Sequence, residues 1–469
     1  MSPIFANFIT DDVDTMNLFQ PYADINFELS QGKARYISKG AADIRISGLP
    51  GPESRLMRYP KIGIYAGSGT SHSWLWFVDM FEKMGFFNLF FLDETAVKGD
   101  GLDHLDVIVI SGGDTFAVAE SLGQRGAEKI RSFVVHGGTY IGSCAGAYLP
   151  MNSSKKPLNM FNFVDVKITN LSKTLPESVK DSCKFCTSYG CDFVFHPVRE
   201  EVRLKPTNTF SAISEFSAPL YGGPGMKVSD PTTVLAYYCG FTEKTSFLVN
   251  EAIASKTLVG QAAVVRIPSG NGCFYLFGPH LEHPNYPDAN KCVADAILWE
   301  TGKRREMMSA DNRRRKFAEG TEILSGKKAE DFVRALKREL SHSRIAASSL
   351  EFIPIRWLIG KKVYEPEKVR VFLESMWKRI KPLEKRGAFE VGPGLTEQIV
   401  QYAKQTSEAI RKIKTGVDHD IDTLDSATSA FDLLHRLSIA FFELYFQAVH
   451  DQGCSATQPP NFLRSRHNG

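Results

Sequence analysis

One cysteine in this chain stands where the surrounding residue types give it a chemical task. In Tyr140-Ile-Gly-Ser-Cys-Ala-Gly-Ala-Tyr148, Cys144 lies between glycines at the end of an apolar run. Small residues on both sides let a strand turn sharply into a helix and lift a nucleophile above a sheet. A thiol at that point faces the positive end of the helix, which favours the thiolate. Taken alone, the pattern fits a tight turn around a buried structural cysteine equally well. Thiolate attack on an amide also needs a base, a group that orients it, and donors for the oxyanion. Gly278-Pro-His-Leu-Glu282 follows another apolar run and carries His280 and Glu282 two residues apart. In extended chain such side chains point the same way, so Glu282 can orient His280. Ser111-Gly-Gly-Asp114 ends a third run, and the N–H groups of Gly113 and Ala145 are candidate oxyanion donors. A lone His-x-Glu reads as a solvated loop. Three such segments, each at the carboxyl end of a strand, read as a site.

The elements that must position these residues follow from periodicity. Short continuous apolar runs at 61–66 (KIGIYA), 87–92 (FNLFFL), 107–110 (VIVI) and 139–142 alternate with helical patterns, among them one over 115–135. Continuous apolar strands alternating with helices predict a mostly parallel sheet covered by helices on both faces, with ligands at the carboxyl ends of its strands. Turn-bounded runs within 151–260 predict antiparallel strands and loops decorating the same unit. The runs 262–267 and 273–277 flank Pro-Ser-Gly-Asn-Gly and predict a hairpin. A helix over 287–301 closes this part. Beyond residue 302 the strand signals fade, and 328–341, 366–382, 394–414 and 424–448 carry helical spacing. The expected organisation is an N-terminal extension over 1–60, with short strands at 34–37 and 43–46, an α/β domain over 61–301, and an all-helical domain over 302–469.

At this point the motifs resemble a known family. SGGD, GSCAGAY and GPHLE, with Tyr65-Ala-Gly-Ser-Gly-Thr70, Tyr221-Gly-Gly223 and the Gly270-Asn-Gly272 turn, are similar to the class I glutamine-amidotransferase-like superfamily. Within it they resemble most the domain at the N-terminus of some eukaryotic biotin–protein ligases. The resemblance spans about 61–300. It implies a flavodoxin-like sheet and a Cys–His–Glu triad of Cys144, His280 and Glu282, with Gly113 and Ala145 as oxyanion donors. The expected function is cleavage of an amide C–N bond through an acyl-enzyme on Cys144, with ammonia passed to a partner or acceptor. The alternatives are a cysteine peptidase or amidase without ammonia transfer, and a non-catalytic binding or scaffold protein on the same fold. No Gly-Arg-Gly-Arg-like loop for biotinyl-adenylate occurs, so ligase activity is not expected.

Other residues carry weaker signals. Gly112, Asp114, His72 and Tyr148 lie on the expected active edge as substrate contacts, although Asp114 reads equally as a helix N-cap and His72 as part of a capping loop. Cys183-Lys-Phe-Cys186, with Cys191 and His196, has one zinc-like pair but no second C-x2-C, so free thiols or an opportunistic disulfide are expected and no metal is assigned. Leu358-Ile-Gly-Lys-Lys362 lacks the remaining glycine of a phosphate loop, and nothing predicts a nucleotide or any other cofactor. The 469 residues carry 43% apolar and 23% charged residues, which excludes a disordered chain. Residues 1–300 hold 26 Lys and Arg against 31 Asp and Glu, whereas 301–469 hold 30 against 22. The basic part has interspersed acids and no interleaved aromatics in its Arg313-Arg-Arg-Lys316 run, so a solvated face is expected rather than a nucleic-acid surface. The expected partners are a small amide or peptide substrate and a synthetase or other protein docking on the helical part. Eight cysteines, no secretory start and no apolar span predict a cytoplasmic protein without a membrane segment.

Overall fold

The computed structural model describes residues 60–172, 194–207, 214–303, 322–360 and 362–455, together with three short strands ahead of them. Those three, β1 (Arg35–Ser38), β2 (Ile44–Ser47) and β3 (Leu56–Met57), pair antiparallel as a small sheet. The first two fall where the sequence places short strands. The main sheet begins with β4 (Ile62–Tyr65), α1 (Trp74–Lys83), β5 (Leu89–Leu92), α2 (Glu94–Lys98), β6 (Val107–Ile110), α3 (Thr115–Val135), β7 (Thr139–Ser143) and the single turn α4 (Ala145–Tyr148). It continues through β8 (Val166–Ile168), β9 (Val198–Pro206), β10 (Phe216–Leu220), β11 (Met226–Val228), β12 (Val234–Phe247), α5 (Glu251–Leu258), β13 (Ala262–Ser269), β14 (Gly272–Phe277) and α6 (Pro287–Lys303).

Strands β5, β4, β6, β7 and β14 lie side by side in that order, every pairing parallel. Numbered by their own succession this is order 2-1-3-4-5, the flavodoxin-like arrangement. All four residues of β4 and of β6 are buried, as strands covered on both faces must be. The antiparallel decoration expected from 151–260 extends the same sheet through β13, β12, β9 and β10, with β11 and β8 at the side, to eleven strands in all. Ser269 pairs with Gly272 across the β13–β14 turn, where Gly270 takes φ 59°, as two-residue hairpin turns require.

The C-terminal part is helical: α7 (Gly326–Ser348), α8 (Pro366–Glu384), α9 (Leu395–Asp418) and α10 (Leu424–Ser455). It also contains two antiparallel pairings that the helical periodicity did not announce. One joins β15 (Glu322–Ser325) to β18 (Ala388–Val391), and the other is the hairpin β16 (Trp357–Ile359) and β17 (Lys362–Tyr364). Strands of three or four residues are too short to show alternation. Hydrophobic contacts run without a break from the main sheet into these helices. Trp74 of α1 is fully buried between Phe91 of the sheet, Phe372 of α8 and Phe442 of α10, with ring centroids 6.0, 6.3 and 5.8 Å away. Beside it, buried Arg379 of α8 pairs with Asp79 (2.9 Å) and Glu82 of α1, and Tyr445 donates to Glu82 at 2.6 Å. A buried guanidinium is tolerable only when paired, so this cluster fixes α8 against α1. Part of the apolar face of α10 packs on the α/β unit, and the larger part packs on α9 and α8. Among the described residues, no helix is long and apolar enough to cross a membrane.

Replacing Trp74 by Ala should destabilise the protein by about 3–5 kcal/mol. Trp74→Phe should cost much less, because the indole N–H has no acceptor among the described residues. Urea unfolding followed by circular dichroism measures both.

Candidate functional site

The turn after β7 is built around Cys144, whose φ of 52° and ψ of −105° are costly for a residue with a side chain. Neighbouring contacts hold it there. The Cys144 N–H donates to Phe277 O at 3.0 Å, and the Gly146 N–H donates to Ser111 O at 3.2 Å. Tyr140 Oη donates to Gly146 O at 2.7 Å. A Cβ on Gly146 would collide with Ile110 O, so the small residues flanking Cys144 are a packing requirement.

Cys144, His280 and Glu282 come together. His280 Nδ1 donates to Glu282 Oε1 at 2.7 Å, which leaves the other ring nitrogen for the hydrogen bond with the Cys144 thiol. His280 and Glu282 meet across a turn rather than in extended chain: the His283 N–H bonds back to His280 O at 3.2 Å. Glu282 is 0% exposed, and two serines satisfy it. Ser143 Oγ donates to Oε2 at 2.8 Å and Ser111 Oγ to Oε1 at 3.0 Å. Ser73 Oγ lies 2.9 Å from Ser111 Oγ and continues this line outward. Burial alone would pull His280 down, but the charges of Glu282 and Cys144 and their hydrogen bonds raise it to about 10. Burial alone would raise the Cys144 thiol; the His280 charge and hydrogen bond, helped by Lys362, bring it below its ordinary value. Both shifts act in the direction of a thiolate–imidazolium pair. The helix dipole expected to favour the thiolate is a single turn here, too short to sum many peptide dipoles, and cations take its place.

The other expected residues divide. Gly112, Gly113, Asp114, Ala145, Tyr148 and His72 all border the cavity in front of Cys144, which measures about 560 Å³. Asp114 spends its carboxylate as the cap of α3, accepting from the Phe116 and Ala117 N–H groups at 3.0 and 3.2 Å. The Tyr148 hydroxyl donates to Gly222 O at 3.1 Å. His72 is held well below the ordinary imidazole range by burial and by Lys368 and Lys362, and its ring meets the edge of Trp76 at 5.2 Å. The Gly112 carbonyl accepts from Ser71 and Ser73, and a Cβ there would fall 2.8 Å from His280 Cε1. His196 also borders the cavity, burial and Arg199 keeping it down to about 4. Cys183, Cys186 and Cys191 lie outside the described residues, among which no three metal-binding side chains gather.

Sequence reasoning passed over several neighbours. Trp76 packs edge-on to His280 at 5.0 Å and against His283 at 4.5 Å. Its place two residues from Trp74, off the apolar stripe of α1, is the signal that was available. Ser111 and Ser143 stand inside the quoted motifs, each next to a residue already singled out. Lys362 arrives from the β16–β17 hairpin and had no local signal.

The fold and elbow define a flavodoxin-like α/β protein with cysteine at the strand-to-helix turn. A family model described as the N-terminal region of biotin–protein ligase matches residues 61–163. That match covers β4 through the Cys144 elbow and stops short of His280 and Glu282. No curated protein matches the chain. Among solved structures, a β-galactosidase from Bacillus circulans sp. alkalophilus is similar at 14% identity and TM-score 0.30, over 52% of this chain and 31% of that one. A cytoplasmic protein, STM1381, from Salmonella typhimurium LT2 is similar at 13% identity and TM-score 0.31, over 52% of this chain and 98% of that one.

Two changes probe the geometry. Gly112→Ala should displace His280 and slow alkylation of Cys144 at pH 6 by about tenfold or more, read by peptide mapping after iodoacetamide. Glu282→Gln removes the charge that raises His280. The imidazolium should then deprotonate at lower pH, and the upper limb of the Cys144 reactivity–pH profile should move downward.

Proposed function

We propose that this chain cleaves an amide C–N bond through an acyl-enzyme on Cys144, in the manner of a glutamine amidotransferase. The observation that carries this reading is the hydrogen-bonded line from Glu282 through His280 to Cys144, ending in a cavity. The Cys144 thiolate attacks the carbonyl carbon, forming the S–C bond as the carbonyl electron pair moves to oxygen. The Gly113 and Ala145 N–H groups, the latter at the first position of α4 where no intrahelical acceptor exists, stabilise that oxyanion. His280 gives its proton to the leaving nitrogen as the C–N bond breaks. It then takes a proton from water, whose oxygen attacks the thioester and releases the acid and the thiolate. Glu282 keeps the ring in one orientation throughout. Ammonia passes to a partner or acceptor.

A second reading is a cysteine amidase or peptidase without ammonia transfer. The cavity favours it in one respect, being larger than the side-chain amide of a single amino acid needs. Cys144→Ala should remove turnover of the amide while leaving the unfolding transition in place. Release of ammonia from free glutamine by the unmodified protein supports the amidotransferase form. Hydrolysis of peptide or other amides with glutamine ignored supports the second form, and turnover that survives Cys144→Ala would falsify both.

A further inference from the structure

Part of the lining of the cavity does not come from the α/β unit. It is supplied by the β16–β17 hairpin and the start of α8, through Lys362, Val363, Glu365, Glu367, Lys368 and Val371. The hairpin is firmly mounted. Trp357 is buried, and its Nε1 donates to Thr423 Oγ1 at 2.9 Å. Tyr364 packs on Phe431 of α10 with centroids 4.5 Å apart. At the tip, Gly360 takes φ 63°, and a Cβ there would lie 3.7 Å from Asp114 Oδ2, so the turn reaches over the start of α3. Lys362 follows that turn, opposite Ile359 in the ladder, half-buried and bordering the same cavity as Cys144. No carboxylate lies within ion-pairing distance of its ammonium among the described residues.

We infer that Lys362 is a specificity-determining residue that binds a carboxylate carried by the amide substrate and so orients its carbonyl at Cys144. This rests on the proposed attack by Cys144. A half-buried lysine that borders the cavity with no carboxylate in ion-pair contact can accept one carried by the ligand. An ammonium is a point charge suited to a monoanion. The four carboxylates Asp114, Glu200, Glu365 and Glu367, which border the same cavity, disfavour a dianion such as a phosphate ester. Burial, with Lys368 and Arg199 nearby, brings Lys362 down to about 8 against the pull of Cys144 and Asp114, so it remains cationic near neutrality. The helical part thereby contributes to the site as well as to the core.

Two alkylating reagents that differ by one charge test this. Iodoacetate and iodoacetamide both form an S–C bond and expel iodide, but only iodoacetate carries a carboxylate. Their rates at Cys144, read by peptide mapping, give a ratio that cancels any change in the thiolate population. Lys362→Met should lower the iodoacetate-to-iodoacetamide ratio about fivefold to tenfold, and Lys362→Arg should retain most of it. Lys362→Gln gives a second neutral variant should Lys362→Met fold poorly. A ratio unchanged in folded neutral variants overturns the role of Lys362 and leaves the Cys144 reading intact. No preferential alkylation of Cys144 by either reagent overturns the Cys144 reading and this inference with it.

Discussion

A carboxylate with no access to water dictates much of this molecule. Glu282 is sealed from solvent, and a buried charge survives only when hydrogen-bonded and paired. Two hydroxyls and an imidazole meet that need. Charge on Glu282 favours a proton on the buried imidazole, against the pull of burial, and a proton held there lowers the cost of a thiolate on its far side. The shifts of Cys144 and His280 are thus coupled to each other and to Glu282. Ser111 and Ser143 belong to the same logic, since each stands at the end of a parallel strand and turns its hydroxyl toward the space between them.

The fold satisfies this need in a small volume. Strands β6, β7 and β14 are neighbours, so Ser111, Cys144 and His280 emerge at the same sheet edge within one or two strand spacings. Gly112 leaves room for the imidazole, and Trp76 covers its other side. The helical part adds a wall and a core at once. Trp74 and Arg379 tie it to the sheet, and the hairpin carried by the same helices borders the cavity.

Legibility in the sequence followed how local each determinant is. The parallel strands declare themselves as apolar runs such as Val-Ile-Val-Ile, and α3, kinked at Gly123, spans the stretch its periodicity predicts. The meeting of Cys144, His280 and Glu282 was legible because each stands in a short motif at the end of a strand. The hairpin was not, since three-residue strands have no periodicity and Lys362 stands in a Gly-Lys-Lys segment that local reading weighs only as an incomplete phosphate loop. The same holds for the meeting of Trp74 with Phe442, which are far apart in the chain and indistinguishable locally from any other apolar residues. Asp114 was legible as a cap or a substrate contact; its Oδ1 caps α3, and the residue also borders the cavity.

The mounting of the hairpin on α10 also sets an order of assembly. A chain growing from its N-terminus has completed β14 and the His280–Glu282 turn well before Thr423 and Phe431, which anchor the hairpin, are made. Domains begin to fold during synthesis, so the sheet and the elbow can form while their outer wall is still missing. During that interval Cys144 faces open solvent, without the charge of Lys362 beside it. Docking of α10 completes the boundary of the cavity, so the Cys144 thiol is enclosed only once that helix has left the ribosome.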